Sequence, residues 1–169
     1  MSRIEDLQEL RGEVQQYHEV SARLRDALHH LQKHDLTQIG KTTTTAVAAA
    51  GLIENSYTAV ETVLFRIAQN FGNNLDASRW HTDLLRRMTV SIPEVRPAVI
   101  SDTTYTKLDE LMRFRHFKRY YFNLDYDWSR LEYLMNVVRE VIPKVSGELT
   151  EFDRFLTDVI ASLSDQTPE

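Results

Sequence analysis

Residues 53–71, IENSYTAVETVLFRIAQNF, decide the fold of this 169-residue chain. Their apolar positions recur at alternating steps of four and three, which places them on one side of an α-helix. This stripe consists of Ile53, Tyr57, Val60, Leu64, Ile67 and Phe71. Gly72 follows it in the position of a C-terminal helix cap. Glu61 borders the stripe one turn from Tyr57, and it is either a surface acid or a half-buried carboxylate that needs an arginine partner.

Two longer segments, one on each side, carry the same helical spacing. Ser2 and Glu5 form a capping-box pattern at the start of the first, a helix of about thirty residues. Its stripe consists of Leu7, Leu10, Val14, Tyr17, Ser21, Leu24, Leu28 and Leu31. Asp127 is placed to cap the last helix, and Pro143 inside that helix predicts a kink or a split near residues 140–147. The stripe of this helix consists of Leu131, Leu134, Val138, Ile142, Val145, Leu149, Phe152, Leu156 and Ile160.

Shorter elements connect these segments. Asp35 and Thr37 offer caps for a second helix, and Asp76 offers one for a short helix that contains Trp80 to Met88. Residues 89–100 form an irregular connection with two prolines, after which Ser101 or Asp102 opens another helix. We therefore predict an all-α, four- to five-helix antiparallel bundle. A single domain over residues 1–163 and a frayed tail at 164–169 complete the prediction.

Composition narrows the function classes. The chain has no cysteine, so disulfide frameworks, zinc–thiolate sites and a thiol nucleophile are excluded. Neither a signal peptide nor an apolar run long enough for a membrane span is present in the sequence, which predicts a cytoplasmic protein without a membrane partner. A net charge of −5 and a pI near 5.7 argue against a general nucleic-acid binder, so any contact with nucleic acid must be local.

Two stretches have residues in common with a metal site and with a phosphate-binding loop, but we predict neither a metal nor a cofactor at them. His29, His30 and His34 lie near the end of the first helix, where exposed histidines are favoured by the helix dipole, and their evident acidic neighbour is Asp35. Gly40-Lys41-Thr42 resembles the end of a Walker motif, but the first glycine of that motif would fall on Asp35, and no apolar strand precedes it.

Local chemistry is concentrated in residues 108–125, LDELMRFRHFKRYYFNLD. Arginine binds phosphate bidentately and histidine exchanges protons near neutral pH, so these residues predict a phosphate site. The alternative is a solvated basic helix face. The cluster consists of Arg113, Arg115, His116, Lys118 and Arg119, followed by Tyr120, Tyr121 and Phe122.

Four segments in this order resemble the HepT-like branch of the HEPN superfamily: IENSYTAVETVLFRIA, WHTDLLRRM, RPAVIS and the basic stretch 108–125. Many members are toxins that act as metal-independent ribonucleases, and they are commonly encoded beside a minimal nucleotidyltransferase that serves as antitoxin. The resemblance implies a four-helix core, a homodimer with the basic helices facing a shared cleft, and RNA as substrate.

The catalytic signature of that family is an arginine, four to six residues, a histidine, and a tyrosine two positions further on. Counted from Arg115, the histidine place falls on Tyr120 and the tyrosine place on Phe122. Arg115 carries over, whereas the histidine does not. His116 could substitute, although it points about 100° around the helix from Arg115.

Three interpretations follow. The chain is a metal-independent ribonuclease, a degenerate relative that binds RNA, a nucleotide or a protein partner without cleavage, or an assembly module whose arginines pair with acids such as Asp109, Glu110 and Glu61. The predicted catalytic residues are Arg115, His116 and Arg119, and the predicted substrate-binding residues are Arg113, Lys118, Tyr120 and Tyr121.

Overall fold

Five helices of nine or more residues account for most of the residues that the computed structural model describes, which are 2–72, 78–118 and 124–165. The helices are α1 (Arg3–His30), α3 (Thr43–Asn70), α4 (Trp80–Met88), α5 (Asp102–Lys118) and α6 (Trp128–Asp165), and a short turn α2 (Leu36–Gln38) follows α1. The predicted all-α helical bundle is confirmed. Of the predicted tail, residues 166–169 lie outside the described residues, and α6 extends to Asp165.

The helix α3 is central to the bundle and packs against α1, α4, α5 and α6. Five of the six residues in its predicted stripe are completely buried, and Phe71 is partly buried at the end of the helix. These five are Ile53, Tyr57, Val60, Leu64 and Ile67. Burial of each large apolar side chain contributes about 1.5–3 kcal/mol, so this stripe is a principal source of the stability of the bundle.

Side-chain contacts between helix ends give the direction of each helix. Arg3 at the start of α1 donates to the Asn70 side chain at the end of α3, at 2.8 Å. Arg11 of α1 pairs with Asp153, late in α6, at 2.8 and 3.1 Å. Lys118 at the end of α5 pairs with Glu54, early in α3. Consequently α1 and α3, α1 and α6, and α3 and α5 are antiparallel, as predicted.

The first helix, α1, has the predicted length of about thirty residues, but the helical path does not stop at its end. It continues from α1 through a π-helical turn, Leu31–Asp35, into α2. Thr37 does not cap a helix, because its hydroxyl donates back to the Lys33 carbonyl at 3.1 Å. Instead Thr42, with an extended backbone, caps α3 by accepting from the Thr45 N–H. The predicted caps Ser2 and Asp127 are confirmed, since their side chains accept backbone N–H groups at 3.3 and 2.9 Å.

Pro143 does not split the last helix: of the two predicted alternatives, a kink or a split near residues 140–147, the split is wrong, because α6 is helical without interruption from Trp128 to Asp165. A proline removes the N–H that would donate to the carbonyl four residues earlier, here Arg139. Both Pro143 and Arg139 are exposed, so water can satisfy that carbonyl. Buried residues on both sides of Pro143 hold the helix on the core; they include Val138, Val141, Ile142, Val145 and Leu149.

The connection between α4 and α5 is fixed by a buried arginine. Arg96 is 2% exposed and donates to the carbonyls of Val90, Pro97 and Arg87 at 3.0, 3.1 and 3.0 Å. Burial lowers the pKa of this guanidinium. These bonds anchor the loop to the end of α4, and therefore set where α5 begins.

The start of α5 is held from the opposite side by Glu148 of α6. Its carboxylate accepts from the Ser101 N–H and from the Thr104 hydroxyl, both at 3.0 Å. Ser101 itself caps α5 by accepting from the Thr104 N–H at 3.3 Å.

Within the described ranges, no helix combines the length and the apolar composition needed to cross a bilayer.

Candidate functional site

Arg115 of α5 and Glu61 of α3 form a bidentate ion pair inside the bundle. Nη1 donates to Oε1 and Nη2 to Oε2, each at 2.8 Å. The two side chains are 11% and 8% exposed. The paired geometry matches the planar fork of guanidinium to a carboxylate, which is the strongest class of charge-assisted hydrogen bond in proteins. Glu61 is therefore the half-buried carboxylate with an arginine partner that the sequence offered as one alternative.

Tyr57 completes the packing of this pair. Its hydroxyl donates to Glu61 Oε2 at 3.0 Å, and its ring lies beneath the Arg115 guanidinium at 4.7 Å from the centroid. Burial, followed by the negative charge of Glu61, raises the pKa of Tyr57. Tyr57 is consequently a neutral hydrogen-bond donor to the carboxylate and a cation–π support for the arginine.

His81 of α4 is a third partner of Glu61. Its Nδ1 lies 2.7 Å from Glu61 Oε2 and 3.2 Å from Arg115 Nη2. An ionised carboxylate can only accept, so the short contact to Glu61 places a proton on Nδ1. The approach of Arg115 to the same nitrogen is then a close contact between two donors. The ring also packs on its neighbour Trp80, at 3.6 Å between centroids.

Only part of this cluster can be predicted from the sequence. Tyr57 and Glu61 are one turn apart on α3, and that spacing was visible in the sequence. His81 was missed, because it is separated from Glu61 by 20 residues and from Arg115 by 34. Only the packing of α3, α4 and α5 brings the three together.

The other predicted site residues at the end of α5 point to different neighbours. Arg113 pairs with Asp109 one turn earlier at 2.9 Å, and Lys118 pairs with Glu54 of α3. His116 is exposed, on a different side of α5 from the largely buried Arg115, in agreement with the rotation expected between adjacent helical residues. Arg119, Tyr120 and Tyr121 lie outside the described residues.

The three described cations of the cluster thus have three separate carboxylates. The assembly-module interpretation expected the arginines to pair with such acids, and Asp109 and Glu61 do pair with Arg113 and Arg115. The hydrogen-bond partner of Glu110 differs from the arginine which that interpretation expected, since its carboxylate accepts from the Tyr133 hydroxyl at 2.7 Å. The structure therefore brings Arg115 together with Glu61 and His81, while Arg113 and Lys118 are held in separate ion pairs.

The histidines near the end of α1, for which the sequence predicts exposure and no bound metal, lie apart from this site. The rings of His30 and His34 stack at 4.9 Å, and His30 Nδ1 lies 3.4 Å from Asp35. In the part of the chain that the structure describes, no group of three or more histidine, cysteine, aspartate or glutamate side chains is arranged to hold a metal ion.

Residues 48–156 match the family model described as HepT-like protein. No curated protein and no solved structure matches the chain. The matched range extends from α3 to late α6 and includes Glu61, His81 and Arg115. Since it also contains all four segments on which the resemblance was based, the predicted relationship is confirmed. The chain belongs to the HepT-like family of the HEPN superfamily.

Proposed function

We propose that this HepT-like protein binds the phosphates of RNA at the C-terminal part of α5, within a toxin–antitoxin system. The observation that carries the proposal is the concentration of Arg113, Arg115, His116 and Lys118 in the last six residues of α5, in a chain whose net charge is −5. A local cationic patch on an acidic scaffold favours a polyanion that is bound at one place.

The cations differ in how readily a phosphate could reach them. Arg113 is 69% exposed and Asp109 is 18% exposed, and an i,i+4 ion pair at the helix surface is worth about 0–1 kcal/mol, so a phosphate can compete with the carboxylate for the guanidinium. Lys118 and Glu54 are also partly exposed. The Arg115–Glu61 pair is buried, and removal of one partner from such a pair costs about 3–5 kcal/mol. We therefore assign phosphate contacts to Arg113 and Lys118, and a positioning role to Arg115.

The residues beyond Lys118 belong to the same proposal on sequence grounds. Arg119 would add a further phosphate contact, and Tyr120 and Tyr121 would stack on unpaired bases. His116 is the predicted acid–base residue if the protein cleaves RNA. Without it or another proton-transferring residue, the protein is a degenerate relative that binds RNA only.

RNA binding is tested by fluorescence anisotropy with a labelled single-stranded RNA of random sequence, in the presence of a chelator. We expect the affinity to fall steeply as salt is raised from low to physiological strength, because cation–phosphate contacts release counterions. The double variant Arg113→Ala, Lys118→Ala should weaken binding and reduce the slope of log K against log salt by about 1.4.

The matched control removes two cations from ion pairs on α6, in the variant Lys144→Ala, Arg154→Ala. It changes the net charge by the same amount and should bind RNA nearly as the unmodified protein does. RNA affinity that does not depend on salt, or that falls equally in both double variants, would show that the patch is not the binding site.

A second candidate is a protein–protein assembly module. It is favoured by the separate carboxylate partners of Arg113, Arg115 and Lys118, and by Phe117, which is 61% exposed at the end of α5. Under this proposal the protein forms a homodimer or binds a minimal nucleotidyltransferase in the cytoplasm. Sedimentation that gives only the 19.7 kDa monomer, alone and with that partner, would exclude it.

A further inference from the structure

We propose that His81 is the proton-transferring residue of this site, oriented by Glu61, and that it takes the place of the histidine that the signature lacks at Tyr120. This inference rests on the proposed binding of RNA beside α5. It assigns a catalytic role to a residue of α4 that lies outside the basic stretch, and positioning roles to Glu61 and Arg115.

The orientation of the imidazole is the first argument. We assign the proton of the neutral ring to Nδ1, because the 2.7 Å contact of this nitrogen with the Glu61 carboxylate is shorter than its 3.2 Å contact with Arg115; the lone pair is then on Nε2. The two nitrogens lie on different edges of the ring, and Nε2 is therefore directed away from Glu61. The side chain is 40% exposed, and no described residue is hydrogen-bonded to Nε2. A carboxylate on one nitrogen of a partly exposed imidazole is the arrangement of a histidine general base.

The rigidity of the carboxylate is the second argument. Both oxygens of Glu61 are engaged by Arg115, and Oε2 also accepts from Tyr57. A surface histidine that only covered a carboxylate would not need a partner held by three other hydrogen bonds. Here the imidazole is attached to a group that cannot rotate without breaking a buried bidentate ion pair.

The position beside the cations is the third argument. Arg115 Nη2 lies 3.2 Å from His81 Nδ1, and Lys118 follows Arg115 by three residues, on the same side of α5. An RNA strand that contacts Lys118 would therefore lie along the side of α5 that carries Arg115 and faces the imidazole. His116 belongs to another side of the helix, about 100° from Arg115.

The reaction that these groups can support needs no metal. Nε2 of His81 takes the proton of a ribose 2′-hydroxyl while the 2′-oxygen forms a bond to phosphorus and the bond from phosphorus to the 5′-oxygen breaks. The leaving oxygen takes a proton from water, and the imidazolium returns its proton to solvent. The products are a 2′,3′-cyclic phosphate and a 5′-hydroxyl end, and the nearby cations offset the negative charge on the phosphate oxygens.

The test compares His81→Asn with the unmodified protein on the labelled single-stranded RNA, in a chelator. The asparagine amide can replace Nδ1 as donor to Glu61 and preserve the fold, but it has no counterpart of Nε2. We expect the cleavage rate to fall by about 10²- to 10⁴-fold with unchanged RNA affinity. Added imidazole should restore part of the rate in His81→Ala, which a purely structural role would not produce. The control is His29→Ala, at an exposed histidine of α1, which should cleave normally.

Three results would overturn the inference. One is cleavage by His81→Asn at the rate of the unmodified protein. Another is loss of cleavage in His116→Ala while His81→Asn still cleaves. The third is an unmodified protein that binds RNA with the expected salt dependence and does not cleave it, in which case the catalytic role of His81 is wrong and the proposed RNA binding stands. Absence of RNA binding would instead remove the proposed function together with this inference.

Discussion

Glu61 and Arg115 join the centre of α3 to the end of α5 through two hydrogen bonds of 2.8 Å each, although 54 residues separate them in the chain. The pair gives the buried carboxylate its compensating cation, and it also fixes the side of Glu61 that His81 contacts. The ion pair therefore does more than neutralise an arginine: it holds the carboxylate that His81 contacts in the candidate site.

The first prediction concerns the stability of this pair. Arg115→Ala should lower the free energy of unfolding by about 3–5 kcal/mol, because it leaves Glu61 buried without a cation. Urea unfolding measures the change. Arg113→Ala, which breaks the pair of an exposed arginine with Asp109 one turn away on the same helix, should cost about 0–1 kcal/mol. Equal losses in the two variants would contradict a buried role for Arg115.

The second prediction concerns Arg96, whose guanidinium donates to three carbonyls around the end of α4. Arg96→Met keeps the apolar stem and removes the donors, so we expect a loss of at least about 2 kcal/mol in the free energy of unfolding. Amide hydrogen exchange should also speed up at Val99, whose N–H donates to the Met88 carbonyl at 2.8 Å. Arg23→Met, at an exposed position of α1, serves as the control and should leave both quantities nearly unchanged.

The third prediction is a loss of stability in alkali. Burial raises the pKa of Tyr17 from 10.0 to about 12. In that interval the unfolded chain has lost the phenolic proton while the folded chain keeps it, so unfolding becomes easier as the pH rises. The loss should amount to about 2–3 kcal/mol between pH 10 and 12 and be complete above the folded pKa.

Tyr17→Phe isolates that contribution, since it removes the titrating group and keeps the ring. The difference in unfolding free energy between the unmodified protein and this variant should be constant below pH 10 and shift by the stated amount above it. A difference that stays flat through this range would mean that the hydroxyl ionises as easily in the folded protein as in the unfolded chain.

The fourth prediction concerns the proline within α6. Pro143→Ala should stabilise the protein by up to about 3 kcal/mol, because α6 is helical on both sides and alanine restores the missing N–H. Gly147→Ala is the matched comparison: it lies on an exposed part of the same helix, an added methyl group meets nothing within 4 Å, and the expected gain is about 0.5–1 kcal/mol. Destabilisation by Pro143→Ala, with the expected gain at Gly147, would show that the proline ring itself contributes packing.

Much of the helical framework was predictable because it depends on local periodicity. The stripe on α3, the caps at Ser2 and Asp127, and the C-terminal position of Gly72, which has a φ of +69°, were all found where the sequence placed them. The two errors concern helix boundaries. Thr37 has the residue type of a cap, and Pro143 has the residue type of a helix breaker, but the packing of the flanking apolar residues decides whether a helix ends there.

The sequence by itself determined which segments are helical, which family they belong to, and that the cations collect at the end of α5, because these properties depend on neighbours along the chain. Only the tertiary structure decided which carboxylate each cation meets and which histidine joins them. Glu61, His81 and Arg115 lie on three different helices, and the directions in which their side chains point depend on how α3, α4 and α5 pack. No periodicity within a single helix contains that information.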